Sequence, residues 1–283
     1  MSALSSPILV LGATSLIGDF LIERLAAGGH DYYGLSREAP VDDVRMIRGD
    51  LSEDDLAQRL PPTATVFSLS PIWLLPKALP ALKAAGMKRL VAFSSTSRFT
   101  KAASANAEER EVAQALADAE AATIAFCQAN KVAWTILRPT LIYAEGRDRN
   151  VSRLAGLIRR LGFLPLSGQG GGLRQPVHAA DLAQGAIDAA ASAKAKNRAY
   201  DLTGGETLSY RAMAGRVFEG LGRRPLIVSL PPALWRIGLT LASPIMPGVT
   251  AGMGERMEAD LTFESGDAAR DFGWAPRDFH PRF

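Results

Sequence analysis

The chain has 283 residues, 47% hydrophobic and 22% charged, a globular composition with no collagenous, disordered or membrane-spanning bias. Its net charge is only +3, and no extended block of Lys or Arg supplies the concentrated basic stripe that nucleic acid needs. A single cysteine, Cys127, excludes an intrachain disulfide and a thiolate metal cluster, and no His/Cys/carboxylate spacing suggests another metal site.

Strand-like and helix-like runs alternate through the first half, which predicts a parallel sheet with crossover helices. Pro7–Leu11 reads as a buried strand, followed by an amphipathic helix from Leu16 to Ala27 that Gly28 and Gly29 end. Further strands are predicted at Tyr32–Leu35, Val44–Ile47, Thr65–Leu69 and Arg89–Phe93. The alanine-rich stretch Ala107–Ala129 has high helix propensity and no breaker, and Cys127 falls on its apolar side. Val132–Leu137 is a sixth strand, closed by Arg138-Pro139.

The rest is less regular, with short elements separated by Gly168–Gly172, Gly204-Gly205 and Pro231-Pro232. The predicted fold is α/β: a Rossmann-type doubly wound parallel sheet over residues 1–140, with a smaller substrate lobe at 141–283 interleaved with the sheet. No apolar run is long enough to span a bilayer; the segment 232–249 reads as a core or lid helix, with an interfacial helix or a wall for an apolar substrate as the alternatives. Met1–Ser6 lack the basic start and apolar stretch of a secretory leader, so a cytoplasmic location is expected. The oligomeric state stays open.

The sharpest local feature is Leu9-Val10-Leu11-Gly12-Ala13-Thr14-Ser15-Leu16-Ile17-Gly18, a strand turning into a helix. A pyrophosphate can sit on the free N–H groups and positive end of such a helix; Gly12 permits the tight turn and Gly18 the close packing of helix on sheet. Binders of NAD place an acid at the end of the second strand for the ribose 2′-hydroxyl. Here that position holds Ser36 and Arg37, and a guanidinium suits a 2′-phosphate. NADP(H) is therefore expected in preference to NAD(H). Asp50, followed by Leu51, can accept from the adenine amino group.

Together these residues resemble the short-chain dehydrogenase/reductase superfamily, in its extended or atypical branch with NAD-dependent epimerases and dehydratases. Gly12–Gly18 resembles that branch's Gly-x-x-Gly-x-x-Gly with Ser15 in the middle place, and Asp50-Leu51 resembles its adenine-contacting pair. Leu137–Tyr143 is similar to the segment beside the nicotinamide, Gln175–Ala183 to a late strand-to-helix junction, and Phe272-Gly273-Trp274-Ala275-Pro276 to the usual ending. The resemblance implies cofactor contacts at Gly12, Thr14, Ser15, Leu16, Ile17, Gly18, Ser36, Arg37, Asp50, Leu51, Leu69, Ser70, Ser94 and Pro139.

It also implies a Tyr-x-x-x-Lys pair for proton and hydride transfer. Aligning Ala119-Glu120 with the family's Ala-Glu puts that pair at Val112 and Leu116, and no tyrosine occurs between Ser97 and Ile142. Thr96 resembles the family's Ser/Thr that holds the reacting oxygen, leaving Lys101 or Tyr143 as proton donors. Glu108 and Glu109 are read as favouring the helix dipole. His178 with Asp181 is read as a structural pair, and Arg147-Asp148-Arg149-Asn150 as a cleft lining or an exposed turn. The implied function is an oxidoreductase acting on a small or nucleotide-linked carbonyl or alcohol. The alternatives are a non-catalytic NADP-binding sensor or assembly subunit and, third, a nucleotide-sugar epimerase or dehydratase.

Overall fold

A computed structural model describes residues 4–39, 42–231, 233–235 and 257–283. They form two compact units, each discontinuous in sequence. Most of the segment 232–249, with its predicted core, lid or interfacial helix, lies outside the described residues.

The first unit comprises residues 1–140, 179–202 and 264–275. Its seven strands are β1 (Ile8–Leu11), β2 (Tyr32–Ser36), β3 (Met46–Arg48), β4 (Thr65–Ser68), β5 (Arg89–Phe93), β6 (Ala133–Pro139) and a strand at Arg198–Leu202 that becomes β11 in chain order. All pairings are parallel, in the spatial order β11-β6-β5-β4-β1-β2-β3. Strands one and four are therefore neighbours, and the winding reverses between them. Such a sheet must be apolar on both faces because helices cover both. Accordingly β1, β4 and β5 are buried along their whole length.

The crossovers are α1 (Leu16–Ala27), α2 (Leu56–Arg59), α3 (Leu75–Ala84), α4 (Ser97–Thr100) and α5 (Ala107–Ala129), with α7 (Ala179–Ala191) packed against α1 and α9 (Gly266–Phe272) against α7. The α5 helix starts where the Asn106 side chain accepts from the Glu108 amide, and it buries Leu116, Ala119, Thr123 and Cys127. At the C-terminal end of α7, the buried Arg89 guanidinium donates to the carbonyls of Ala189 (2.9 Å) and Ala190 (3.3 Å) and to Thr135 Oγ1 (2.6 Å). These acceptors satisfy a cation that would otherwise be costly inside. Burial still lowers its pKa to about 10.

Two boundaries depart from the sequence reading by two residues, the start of the third strand and the end of the sixth. The third strand starts at Met46, not Val44, because Asp43 folds the chain into a turn: its side chain accepts from the Arg45 amide and its carbonyl from the Met46 amide, leaving Val44 94% exposed. The α1 helix ends at Ala27 as read, and of the two glycines that follow it the positive φ falls on Gly29 (+66°), Gly28 staying right-handed at −78°. The sixth strand runs through Arg138 and Pro139 because β11 pairs with both, Asp201 opposite Arg138 and Leu202 opposite Pro139.

The second unit comprises residues 141–178, 203–263 and 276–283. Within it β7 (Ile142–Tyr143) pairs parallel with β10 (Val177–His178), β8 (Leu164–Ser167) parallel with β13 (Ile227–Leu230), and β9 (Leu173–Arg174) antiparallel with β12 (Leu208–Ser209). Two helices, α6 (Val151–Leu161) and α8 (Tyr210–Gly220), pack around a core that includes Tyr143, Leu154, Ile158, Leu166, Phe218 and Phe279. Of Arg147-Asp148-Arg149-Asn150, only Asp148 is buried, the other three being exposed. Asp148 accepts from the amides of Ala144, Asn150 and Ser152 and from Ser152 Oγ, and so ties the start of α6. Among the described residues no helix is long and apolar enough to cross a membrane.

Candidate functional site

The turn after β1 is built for close approach. Gly12 has φ +75°, and a Cβ there would lie 2.9 Å from Ser70 Oγ and 3.2 Å from the Leu69 carbonyl carbon. The Leu69-Ser70 backbone after β4 thus closes over Gly12, with the Leu69 amide bonded to Leu11 O (2.9 Å). A Cβ on Gly18 would press into the Ala13 carbonyl and come within 2.7 Å of Gly12 O. Ser15 caps α1 by accepting from the Gly18 amide (3.2 Å). The Leu16 and Ile17 amides, in the first turn, have no intrahelical carbonyl to reach, and the helix dipole adds positive potential there. This cradle of glycine and first-turn amides fits a diphosphate.

The end of β2 lies beside it. Ser36, buried, shares a hydrogen bond with Thr14 Oγ1 (2.6 Å) and accepts from the Glu38 amide (3.2 Å). Arg37 is mostly exposed, with Nε 3.8 Å from Asp50 Oδ2. Asp50 Oδ1 accepts from the Ser52 hydroxyl (2.7 Å) and amide (2.9 Å). The two Ser52 bonds hold its carboxyl below the ordinary aspartate value against the effect of burial, with lesser help from the Arg37 and Lys77 charges. Arg37, Arg48, Gly49, Asp50, Glu53 and Arg59 line an open cleft. Leu51 points into the core. The predicted cofactor residues from Gly12 to Gly18, Ser36, Arg37, Asp50 and Ser70 are thus gathered around the carboxyl ends of β1 to β4.

At the carboxyl ends of β5 and β6 the predicted residues are partly committed inward. Thr96 is buried, and its amide (3.3 Å) and Oγ1 (3.1 Å) both donate to the Pro139 carbonyl. With its proton so used, the Thr96 hydroxyl is left with lone pairs to offer. Ser94 donates to Glu120 Oε1 (2.6 Å). Lys101 caps the end of the short α4, its Nζ 4.0 Å from Glu109 Oε1. Val112 is exposed and Leu116 buried on α5.

A buried charge cluster under this edge has no counterpart in the sequence reading. Glu120, with no exposed surface, accepts from Arg138 Nε (3.0 Å) and Nη2 (2.6 Å), from Arg98 Nη1 and from Ser94. Asp201 lies 3.6 Å from Arg138 Nη1. Burial pushes both carboxyls up. At Asp201 burial prevails over Arg138, whereas at Glu120 the bonds from Arg138 and Ser94 outweigh it and leave the pKa lowered. A sequence signal was available: Glu120 sits among apolar positions of α5, and an ion there demands a partner.

Tyr143 lies in the second unit, fully buried, its ring edge-on to His178 (5.0 Å) and Phe279 (4.9 Å). His178 Nε2 meets Glu145 Oε2 at 3.1 Å, and Asp181 lies in the first turn of α7. Among the described residues no group of three or more His, Cys, Asp or Glu could hold a metal ion.

A doubly wound parallel sheet whose first strand runs into a glycine turn and a capped helix is a Rossmann fold. Residues 8–66 match the NAD dependent epimerase/dehydratase family. Among solved structures, the fold is similar to that of MoeE5 in complex with UDP-glucuronic acid and NAD, at 21% identity, covering 97% of this chain and 95% of that one with a TM-score of 0.73. It is also similar to the epimerase Mth375 from Methanothermobacter thermautotrophicus (17% identity, 95% and 87% covered, TM-score 0.74). A third is DesIV, the dTDP-glucose 4,6-dehydratase from Streptomyces venezuelae with NAD and TYD bound (18% identity, 96% and 92% covered, TM-score 0.71). No curated protein matches the sequence significantly.

Proposed function

We propose that this protein binds NADP(H) in preference to NAD(H) and acts as an oxidoreductase, of the epimerase/dehydratase-like type, on a small or nucleotide-linked carbonyl or alcohol. The observation that carries the cofactor reading is the pairing of the glycine cradle at residues 12–18 with Ser36 and Arg37, and no acid, at the end of β2. The solved neighbours named above with a dinucleotide hold NAD, so the preference for the phosphorylated form rests on Arg37.

When bound, the nicotinamide gives or takes a hydride. The chain's own residues do the rest. The Leu16 and Ile17 amides receive the diphosphate, and Arg37 turns from Asp50 to a 2′-phosphate. Thr96, whose proton goes to Pro139, accepts a hydrogen bond from a substrate hydroxyl and so orients the reacting oxygen. Lys101 takes the hydroxyl proton when an alcohol is oxidised and supplies it when a carbonyl is reduced, whereas Tyr143, fully buried in the core of the second unit, is withdrawn as a donor.

A specific observation favours a second reading, a non-catalytic NADP-binding sensor or assembly subunit: the positions aligned with the Tyr-x-x-x-Lys pair hold Val112 and Leu116. Titration with NADPH and NADH, followed by absorbance with a carbonyl panel, separates the readings. Arg37→Ala is expected to weaken NADPH binding about tenfold, one lost charge-assisted contact at a mostly exposed site, and to leave NADH unchanged. Equal effects on both dinucleotides, or tighter NADH binding by the parent, would refute the preference. Turnover that survives unchanged in Thr96→Ala and Lys101→Ala removes those assignments, and its absence with every carbonyl favours the sensor.

A further inference from the structure

The second unit holds fourteen arginines and no lysine against eight acidic residues, a net charge of +6, whereas the whole chain carries +3. Within it, residues 149–178 and 220–254 contain no acidic side chain at all. Arginine keeps its charge at any working pH, and its planar fork suits phosphate oxygens better than an ammonium does.

Part of this charge adjoins an apolar face. On the two-stranded sheet of β8 and β13, Leu164 lies opposite Ile227, and the Leu164 amide donates to Leu226 O (2.9 Å). Alternation along the strands puts Leu164 and Leu166 inward, both buried, and sets Phe163, Pro165, Leu226 and Val228 on the opposite face. There Leu226 is 57%, Val228 40% and Phe163 37% exposed. At the entry to both strands stand the exposed Arg159, Arg160, Arg223 and Arg224. Arg223 Nη1 donates to the carbonyls of Ile158 (3.0 Å) and Arg159 (3.3 Å), which brings the two arginine pairs to one corner.

We infer that this face docks on a bilayer surface bearing anionic phospholipids, with Arg159, Arg160, Arg223 and Arg224 on headgroup phosphates and Phe163, Leu226 and Val228 at the acyl boundary. Cations beside exposed apolar side chains match the two layers that a lipid interface offers. The charge argues against an identical copy, because a twofold contact would set four arginines against four. The inference is independent of the cofactor reading.

The test is co-sedimentation of the full chain with phosphatidylcholine vesicles with and without phosphatidylglycerol, over a salt series. Binding is expected only with phosphatidylglycerol and is expected to fall as salt rises. At about fivefold per arginine, Arg223→Ser with Arg224→Ser should weaken it roughly thirtyfold. Leu226→Ser with Val228→Ser should weaken it at every salt concentration. Both double variants should keep the parent's circular dichroism, the arginine pair melting slightly lower for loss of the Arg223 bonds to Ile158 and Arg159. Equal binding to neutral vesicles, no binding, or indifference to the arginine pair overturns the inference. So does full release by inorganic phosphate at matched ionic strength, which would assign a free-anion site. A parent mass that drops by half in sedimentation velocity with the Leu226 and Val228 variant would assign the face to a second copy instead.

Discussion

Replacing Glu120 by glutamine keeps the side chain's shape and removes its charge, leaving two arginines facing a neutral amide. Breaking a buried ion pair from one side costs about 3–5 kcal/mol. The lower end applies here: the Arg98 side chain is 29% exposed and can turn to water, and Asp201 remains 3.6 Å from Arg138. The expected loss is therefore about 3 kcal/mol, or roughly 6 °C in Tm for a chain of this size. Because the folded state holds the Glu120 pKa below its unfolded value, its contribution is complete above the unfolded carboxylate pKa of about 4.3 and is lost as pH falls through the lower folded value. The gap between parent and Glu120→Gln should accordingly narrow at acid pH. Urea unfolding at neutral and acid pH measures both effects, and a second variant, Glu120→Leu with Arg138→Leu, should recover much of the loss by removing both buried charges. A Glu120→Gln cost below about 0.5 kcal/mol at neutral pH, or a gap that persists unchanged in acid, would show that the cluster is not held by charge.

Two further outcomes follow from packing. Gly18→Ala should lose at least about tenfold in dinucleotide affinity and about 1–3 kcal/mol in stability, since its methyl meets backbone that cannot move aside. Gly215→Ala on α8, where a Cβ would meet nothing within 4 Å, should be neutral or stabilising by up to about 1 kcal/mol, and equal melts for the two would refute the steric argument. Burial pushes the Cys127 thiol up to about 11, so native protein at neutral pH should resist a disulfide reagent that labels it at once in urea. Stoichiometric labelling of the native protein would contradict that burial.

The elements that the sequence announced were those whose local and tertiary demands agree. The α1 helix has a serine cap, a glycine stop and one apolar stripe, and its predicted and observed ends coincide at Leu16 and Ala27. The same holds for Arg89–Phe93 and Ala107–Ala129. Val44 misled because β propensity there competes with an Asp43 turn, a short-range hydrogen bond that apolarity does not encode. The glycine cradle and the Ser36–Arg37 end of β2 were readable because adjacent residues form them. The Glu120–Arg138–Arg98 cluster and the Glu145–His178 contact were not, since each joins residues 18 to 33 positions apart on different elements.

The seventh strand has a consequence for cutting the chain. β11 reaches β6 only after the chain has left the first unit at residue 140, returned at 179 and formed α7. A fragment stopping at Thr140 would bare the outer edge of β6, whose partner is β11, and would strip Arg89 of the Ala189 and Ala190 carbonyls that stabilise its charge. The first unit of this protein is thus not a linear piece of it: its last wall is delivered late, by a stretch of sequence that lies on the far side of the other unit's first segment.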